Sequence, residues 1–146
     1  MKGIFNILFT FICLLSISMA SVFSSTPKQN QVIGQYQCQG IDVYYKTKYV
    51  GGFTLTPATT NSDVLVYKGY YRDVGAHQQS VSGLGYLDGD ILILSFRPNH
   101  DELPGAGSYR ISAKGHYLAG KYIYLTDPDN VARAKVNTES CRKVDK

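Results

Sequence analysis

The sequence predicts an all-β fold, an eight-stranded antiparallel up-and-down barrel closed by one disulfide. Three observations carry this. Short strand-like segments recur along the chain between Gly, Pro, Asp and Asn residues, and no long run has helical period. Ser82 to Phe96 (SGLGYLDGDILILSF) reads as a hairpin, with a glycine-spaced run and an apolar run meeting at Asp88-Gly89-Asp90. Asp-Gly favours a tight turn because glycine takes positive φ without steric cost and aspartate tolerates it. Finally, Cys38 and Cys141 stand near the two ends of the folded region.

The N-terminus is read as a targeting segment. Lys2 gives a basic start, Ile4 to Ile17 is an apolar run of signal-peptide length, and Ser18-Met19-Ala20 supplies small residues for cleavage. The run is short for a membrane span of roughly 20 apolar residues, and no basic stop-transfer cluster follows it. The expected organisation is a signal peptide over 1–20, a flexible leader over 21–33 and a barrel domain over 34–146. Export to the periplasm or the medium leaves no integral membrane segment after processing. It also removes Cys13 and leaves an even pair of cysteines, which in an oxidising compartment suggests a disulfide. The first and last strands of a consecutive barrel are neighbours, so a Cys38–Cys141 bond would close the ring. Closing a loop of about 100 residues stabilises by about 4–5 kcal/mol in the chain-entropy model.

The strands follow in order. Strand one is Gly34 to Gln39, whose alternation puts Tyr36 and Cys38 on one face. Strand two is near Tyr49 to Thr56, ended by Pro57. Strand three is Val64 to Tyr71. The hairpin supplies Val81 to Leu87 and Ile91 to Phe96. Arg97 to Ala106 is the longest irregular stretch, with two prolines. Strand six is Gly107 to Ala113 and strand seven Tyr117 to Leu125. Asp127-Pro128-Asp129-Asn130 turns the chain into strand eight, Val131 to Val144, where drifting alternation leaves the face of Cys141 open.

Short connections favour an up-and-down barrel over a Greek-key sandwich. Eight strands enclose an interior just wide enough for side chains or one small ligand. Gly83 and Gly85 share one face of their strand, and Gly120 lies between Leu118 and Tyr122, which suggests sharp coiling or close approach of another group. Tyr36, Tyr109, Ile111, Leu118 and Tyr122 lie on the apolar or glycine-bearing phase and are expected to point inward.

The function classes narrow by chemistry. The net charge of +4 is mild and its lysines and arginines are scattered, with only Arg142-Lys143 adjacent, so no nucleic-acid stripe forms. His77, His100 and His116 lack metal-ligand spacing. No Gly-x-Ser-x-Gly, phosphate-binding loop or His-Glu-x-x-His occurs. His100-Asp101-Glu102 reads as solvated loop charge. Asp127 and Asp129 lack the glycine and terminal glutamate of a calcium loop. The expectation is no cofactor, no metal and no catalysis.

Taken together, Gly34-x-Tyr36-x-Cys38-x-Gly40, Ser82-Gly83-x-Gly85, Gly89-Asp90-x-Leu92-x-Leu94-x-Phe96, Tyr109 and Leu118-x-Gly120-x-Tyr122 resemble small exported bacterial proteins with a calycin-like, lipocalin- or avidin-like barrel. Some of these are labelled fibronectin-binding. The resemblance spans nearly the whole mature chain and implies that Leu92, Leu94 and Phe96 face inward. It departs in having no tryptophan, with Tyr36 and Tyr122 where relatives carry one, which argues against avidin-type biotin binding. Ser82-Gly83-Leu84-Gly85-Tyr86 is similar to the Ser-Gly-x-x-Tyr signature of periplasmic C-type lysozyme inhibitors. Their second signature is met only in part by Ala113-Lys114-Gly115, and Ala119 falls one residue late.

The function expected is therefore non-catalytic binding of a small apolar or aromatic ligand or of a protein partner, possible matrix proteins such as fibronectin included. Inhibition of a secreted enzyme such as lysozyme is the alternative through Tyr86, and a structural envelope role is the third reading. Twelve tyrosines offer apolar area with one polar handle each. Tyr44, Tyr45, Tyr70 and Tyr71, clustered beside strand ends, are the candidate contact residues together with Tyr86. The oligomeric state is not indicated. N-terminal sequencing of the protein recovered from periplasm or medium is expected to begin near Ser21. An intact Met1 in a membrane fraction would refute cleaved export.

Overall fold

A computed structural model describes residues 29–43, 46–60, 63–73, 75–98, 103–125 and 135–144. The segment expected to be a signal peptide, Tyr44, Tyr45, His100-Asp101-Glu102 and Asp127 to Asp129 lie outside the described residues. A short helix α1 (Gln29–Val32) precedes eight strands: β1 (Gly34–Asp42), β2 (Thr47–Pro57), β3 (Val64–Asp73), β4 (Gln79–Asp88), β5 (Ile91–Pro98), β6 (Gly105–Ile111), β7 (Tyr117–Tyr124) and β8 (Asn137–Lys143). Each pairs antiparallel with the next and β8 returns to β1, so the sheet is a closed up-and-down barrel. Among the described residues no helix is long and apolar enough to cross a membrane.

Closure is made by β1 and β8, the strands most distant in sequence. Cys38 is directly opposite Cys141, their Cα atoms are 4.0 Å apart, and the sulfurs are bonded. Both cysteines are buried on the inward phase of their strands. The face of Cys141, open from alternation alone, is thus fixed by pairing with Cys38. β8 begins at Asn137, so the described strand is shorter than its sequence pattern suggested and regular throughout its length. The stretch expected to be irregular after Phe96 also contracts. β5 runs on to Pro98 and β6 starts at Gly105, because Val81 holds Pro98 in register and Phe96 pairs with Gly105.

The inner wall is rationed by size. Eight inward glycines each stand directly across from a large residue: Gly40 from Tyr49, Gly51 from Tyr71, Gly69 from Phe53, Gly83 from Phe96, Gly85 from Leu94, Gly105 from Tyr124, Gly107 from Tyr122 and Gly120 from Tyr109. A Cβ added to Gly83 would run into the Ser95 carbonyl and come 2.7 Å from the Phe96 Cα, so the backbones themselves approach closely there. An eight-stranded barrel has little interior width, and alternating small and large residues lets aromatic rings fill it. Tyr36, Leu92, Leu94, Tyr109, Ile111, Leu118 and Tyr122 are all buried, and Phe96 packs against the same core. Leu55, Leu65 and Leu92 are fully buried, and each such side chain stabilises by about 1.5–3 kcal/mol.

The two ends of the barrel differ. One end is sealed by α1, which occupies the last residues of the segment expected to be a flexible leader. Val32 and Ile33 are apolar and cover the core from below, and Val32 is completely buried. The helix's last carbonyls lack intrahelical partners. The Tyr36 hydroxyl lies 2.9 Å from the Val32 carbonyl and 2.9 Å from the Gly115 carbonyl, while Lys143 Nζ donates to the Gln31 carbonyl at 2.7 Å. Burial pushes the Tyr36 phenol up to about 12, so it remains a donor at any ordinary pH. Gly115 closes the β6–β7 turn at φ +70, with Gln31 packed against the place a Cβ would occupy. The other end carries the β1–β2, β3–β4, β5–β6 and β7–β8 connections, and among the described residues no helix covers it.

Replacing Cys38 and Cys141 together by serine releases a loop spanning 103 residues in sequence. The loss in the chain-entropy model is about 4–5 kcal/mol, so the melting temperature is expected to fall by more than about 10 °C. A change of a few degrees, read by circular dichroism, would show that strand pairing alone closes the ring.

Candidate functional site

The open half of the barrel contains a polar centre built by strand register. Around the inner wall, one row crosses five strands: Tyr49 on β2, Gly40 on β1, Glu139 on β8, Gly120 on β7 and Tyr109 on β6. Glu139 therefore has a glycine on each side. A Cβ at Gly40 would collide with the Tyr49 ring, and one at Gly120 would lie 2.5 Å from the Tyr109 ring. The two tyrosines lie over the two glycines and reach the carboxylate from opposite sides. Tyr49 donates its hydroxyl to Glu139 Oε1 at 3.1 Å and Tyr109 to Oε2 at 2.7 Å.

Burial raises the Glu139 pKa above the ordinary carboxylate value, and the two phenolic hydrogen bonds offset only part of that rise. The side chain nevertheless retains some solvent contact, because the cup above it opens to the surface. Burial first, and the nearby carboxylate second, push the Tyr49 and Tyr109 phenols well up, so both hold their protons as donors. Tyr67 and Tyr122 are raised too, chiefly by burial.

Aromatic rings wall the cup continuously. Tyr36 stacks on Phe53 at 5.1 Å, and Phe53 meets Tyr67 at 4.9 Å. Tyr67 meets Phe96 at 6.4 Å, Phe96 meets Tyr122 edge-on at 5.8 Å, and Tyr122 meets Tyr124 at 5.7 Å. Such offset and edge-to-face pairs favour fixed ring positions. The space left between these rings and Glu139 is about 30 Å³, enough for a water-sized group. At the rim, Asn137 Oδ1 accepts the Val43 N–H at 2.9 Å, and Tyr71 donates to Gln79 Oε1 at 2.5 Å.

The candidate contact residues separate. Tyr71 lies on the inward phase of β3 and lines the cup. Tyr70, its neighbour, is exposed on the outer wall beside a broad concavity of about 770 Å³ that also touches Arg72, Tyr117 and Arg142. Tyr86 is 51% exposed, on the regular outer wall of β4 and not on a projecting loop. It shares a cross-strand row with Val64 and Ile93, next to Leu84, all exposed. Tyr44 and Tyr45 lie outside the described residues. Glu139 was not singled out from sequence, Tyr49 only as a member of the tyrosine cluster with Tyr44 and Tyr45, and Tyr109 and Tyr122 only as packing. The available signal was Gly40 and Gly120, spaced to leave room for something large. Glu139 is also within 4.8 Å of the Cys38 and Cys141 sulfurs, a grouping of metal-ligand type. The sulfurs are bonded to each other, so they offer no thiolate.

No family model matches this sequence, and no curated protein matches it. Solved structures with the same architecture do. The barrel EF1p2_mFAP2b bound to DFHBI is similar with a TM-score of 0.67 at 12% identity, covering 83% of this chain and 98% of that one. A redesigned β-barrel, mFAP1, bound to DFHBI, gives a TM-score of 0.63 at 10% identity, covering 78% and 96%. A de novo fluorescence-activating β-barrel gives 0.59 at 9% identity, covering 79% and 95%. At these identities the likeness is one of fold.

The raised Glu139 pKa has a consequence for stability. In the unfolded chain the carboxyl titrates near 4.5, and in the fold it holds its proton to higher pH. Stability linked to this group is complete below the unfolded value and is lost as pH rises through the folded one. Glu139→Gln keeps an acceptor and removes the ionisation. Its melting temperature relative to wild type is expected to move in the variant's favour from about pH 4 to about pH 8. A difference that is constant over that range would place Glu139 at its unfolded pKa.

Proposed function

We propose that the protein is an exported, non-catalytic binding barrel whose open-end cup receives a small ligand with an apolar or aromatic body. The observation that carries this reading is the asymmetry of the interior. One end is plugged by α1 with its carbonyls satisfied. The other keeps a half-buried carboxylate at the base of an aromatic cup. A carboxylate kept in such surroundings costs stability, so its retention suits recognition. Both oxygens already accept phenolic hydrogen bonds, and among the described residues no serine, histidine or free thiol lines the cup with them. Binding therefore fits this centre better than acid–base or nucleophilic chemistry.

The void of about 30 Å³ is far smaller than the 300–1,000 Å³ that encloses a drug-sized molecule. A ligand would seat one end group in the cup and leave its body between Tyr71, Tyr122 and Tyr124 at the mouth. The designed barrels of similar fold, two of them with DFHBI bound, support the idea that eight strands can hold a small molecule inside. The signal-peptide pattern over residues 1–20 and the disulfide support a site of action outside the cytoplasm, as the resemblance to exported calycin-like proteins also implies. The flat, strand-borne position of Tyr86 gives less support to inhibition by an inserted loop.

The test is a titration with benzyl alcohol, followed by amide NMR. The expected result is saturable perturbation centred on Gly40, Gly120 and Tyr122, abolished by Tyr122→Ala with the fold retained. Perturbation confined to the outer wall, or saturation unaffected by Tyr122→Ala, would remove the cup from the site.

A further inference from the structure

We infer that the end group taken by the cup is a cation, and that the ligand class is a linear primary ammonium whose chain leaves through the mouth. This rests on the cup-binding reading above and adds the ligand's charge and shape.

The first argument is the donor and acceptor count. An ionised carboxylate has about four lone-pair sites. Tyr49 uses one on Oε1 and Tyr109 one on Oε2. The remaining sites are open only toward the cup, because Gly40 and Gly120 flank the carboxylate and bring no side chain of their own. An ammonium has three donors and no acceptor, which is what those sites lack. A hydroxyl could fill one of them; an ionised carboxylate, with no donor, could fill none.

Size and wall chemistry agree. The space of about 30 Å³ holds a group the size of water, and a primary ammonium head is of that size. Around it stand the rings of Tyr67, Phe96, Tyr122 and Tyr124, in contact with one another at 5.7–6.4 Å. Aromatic faces attract cations, and more strongly where water is excluded. The ring edges left over at the mouth are apolar and suit a methylene chain.

The distribution of charge completes the case. On the strands, Lys48, Lys68, Arg72, Arg97, Lys121 and Arg142 all alternate to the outer wall and are exposed. Lys143 turns inward but at the plugged end, where it donates to Gln31. Among the described residues, the cup is lined by the Glu139 carboxylate and by no Lys, Arg or His. Lys46, His77 and Lys135, on the connections, are exposed. Among the described residues, the charged group lining the cup is therefore a carboxylate, which attracts a cation and repels an anion.

The experiment compares n-hexylammonium, n-hexanol and n-hexanoate by calorimetry and amide NMR, on wild type and on Glu139→Gln. Wild type is expected to bind hexylammonium at least tenfold more tightly than hexanol, with shifts at Gly40 and Gly120, and to show no binding of hexanoate. Glu139→Gln, which keeps an amide oxygen as acceptor and removes the charge, should lose at least tenfold for hexylammonium and change little for hexanol, with the fold followed by circular dichroism. Equal affinity of wild type for hexanol and hexylammonium at the cup would overturn the charge assignment and leave the binding reading standing. Tight hexanoate binding, or hexylammonium shifts confined to the outer wall, would equally overturn it. If neither hexylammonium nor hexanol perturbs the cup, the charge assignment and the binding reading fall together.

Discussion

The pairing of β1 with β8 is the constraint on which the other features rest. Every other strand pair in this barrel joins neighbours in sequence, so turns assist its formation. β1 and β8 have no such help and must meet across most of the folded chain. The Cys38–Cys141 bond sets their register as well as their proximity. Because the side-chain period of a strand is two, a slip of one residue would turn all of β8 inside out. Glu139 would then face solvent and the outward-facing Ser140 and Arg142 would enter the core. The disulfide is therefore also what keeps Glu139 between Gly40 and Gly120.

From closure follows the narrowness of the interior, and from narrowness the rationing of side chains. A tryptophan-free chain fills its barrel with tyrosine and phenylalanine, most of them opposite a glycine. Glycine in a strand weakens the strand locally, but here it admits a ring that buries far more area. The cost is offset by burial and by closure of the ladder, which leaves no free edge. The same arrangement makes the polar centre. Where the residue between two such glycines is Glu139, the two rings bring hydroxyls to a carboxylate instead of filling apolar space.

The ends then divide the labour. At the plugged end the polar groups of α1 find partners in Tyr36 and Lys143, and the turns are short. At the other end lies the longest connection, between β7 and β8, the rim carries Asp42, Asn137 and Tyr71, and the Glu139 side chain keeps some solvent contact. A helix against one end and the Glu139 carboxylate toward the other give the barrel a direction that its strand topology alone does not have.

Much of the architecture was legible in the sequence. The hairpin at Asp88-Gly89-Asp90, with Gly89 at φ +61, follows from local turn chemistry. The inward set of Tyr36, Tyr109, Leu118 and Tyr122 follows from period-two alternation. Strand count and the cysteine pair together imply ring closure. These are local or pairwise properties, and they survive without coordinates. What sequence could not supply was register across strands distant in the chain. Val131 to Val144 drifts in alternation, so nothing in it marked Glu139 as inward, and Tyr70 and Tyr71 look equivalent until β3 is placed in the ladder. Only tertiary pairing put Tyr49, Gly40, Glu139, Gly120 and Tyr109 into one row, because each belongs to a different strand and their proximity exists only once the ring is closed.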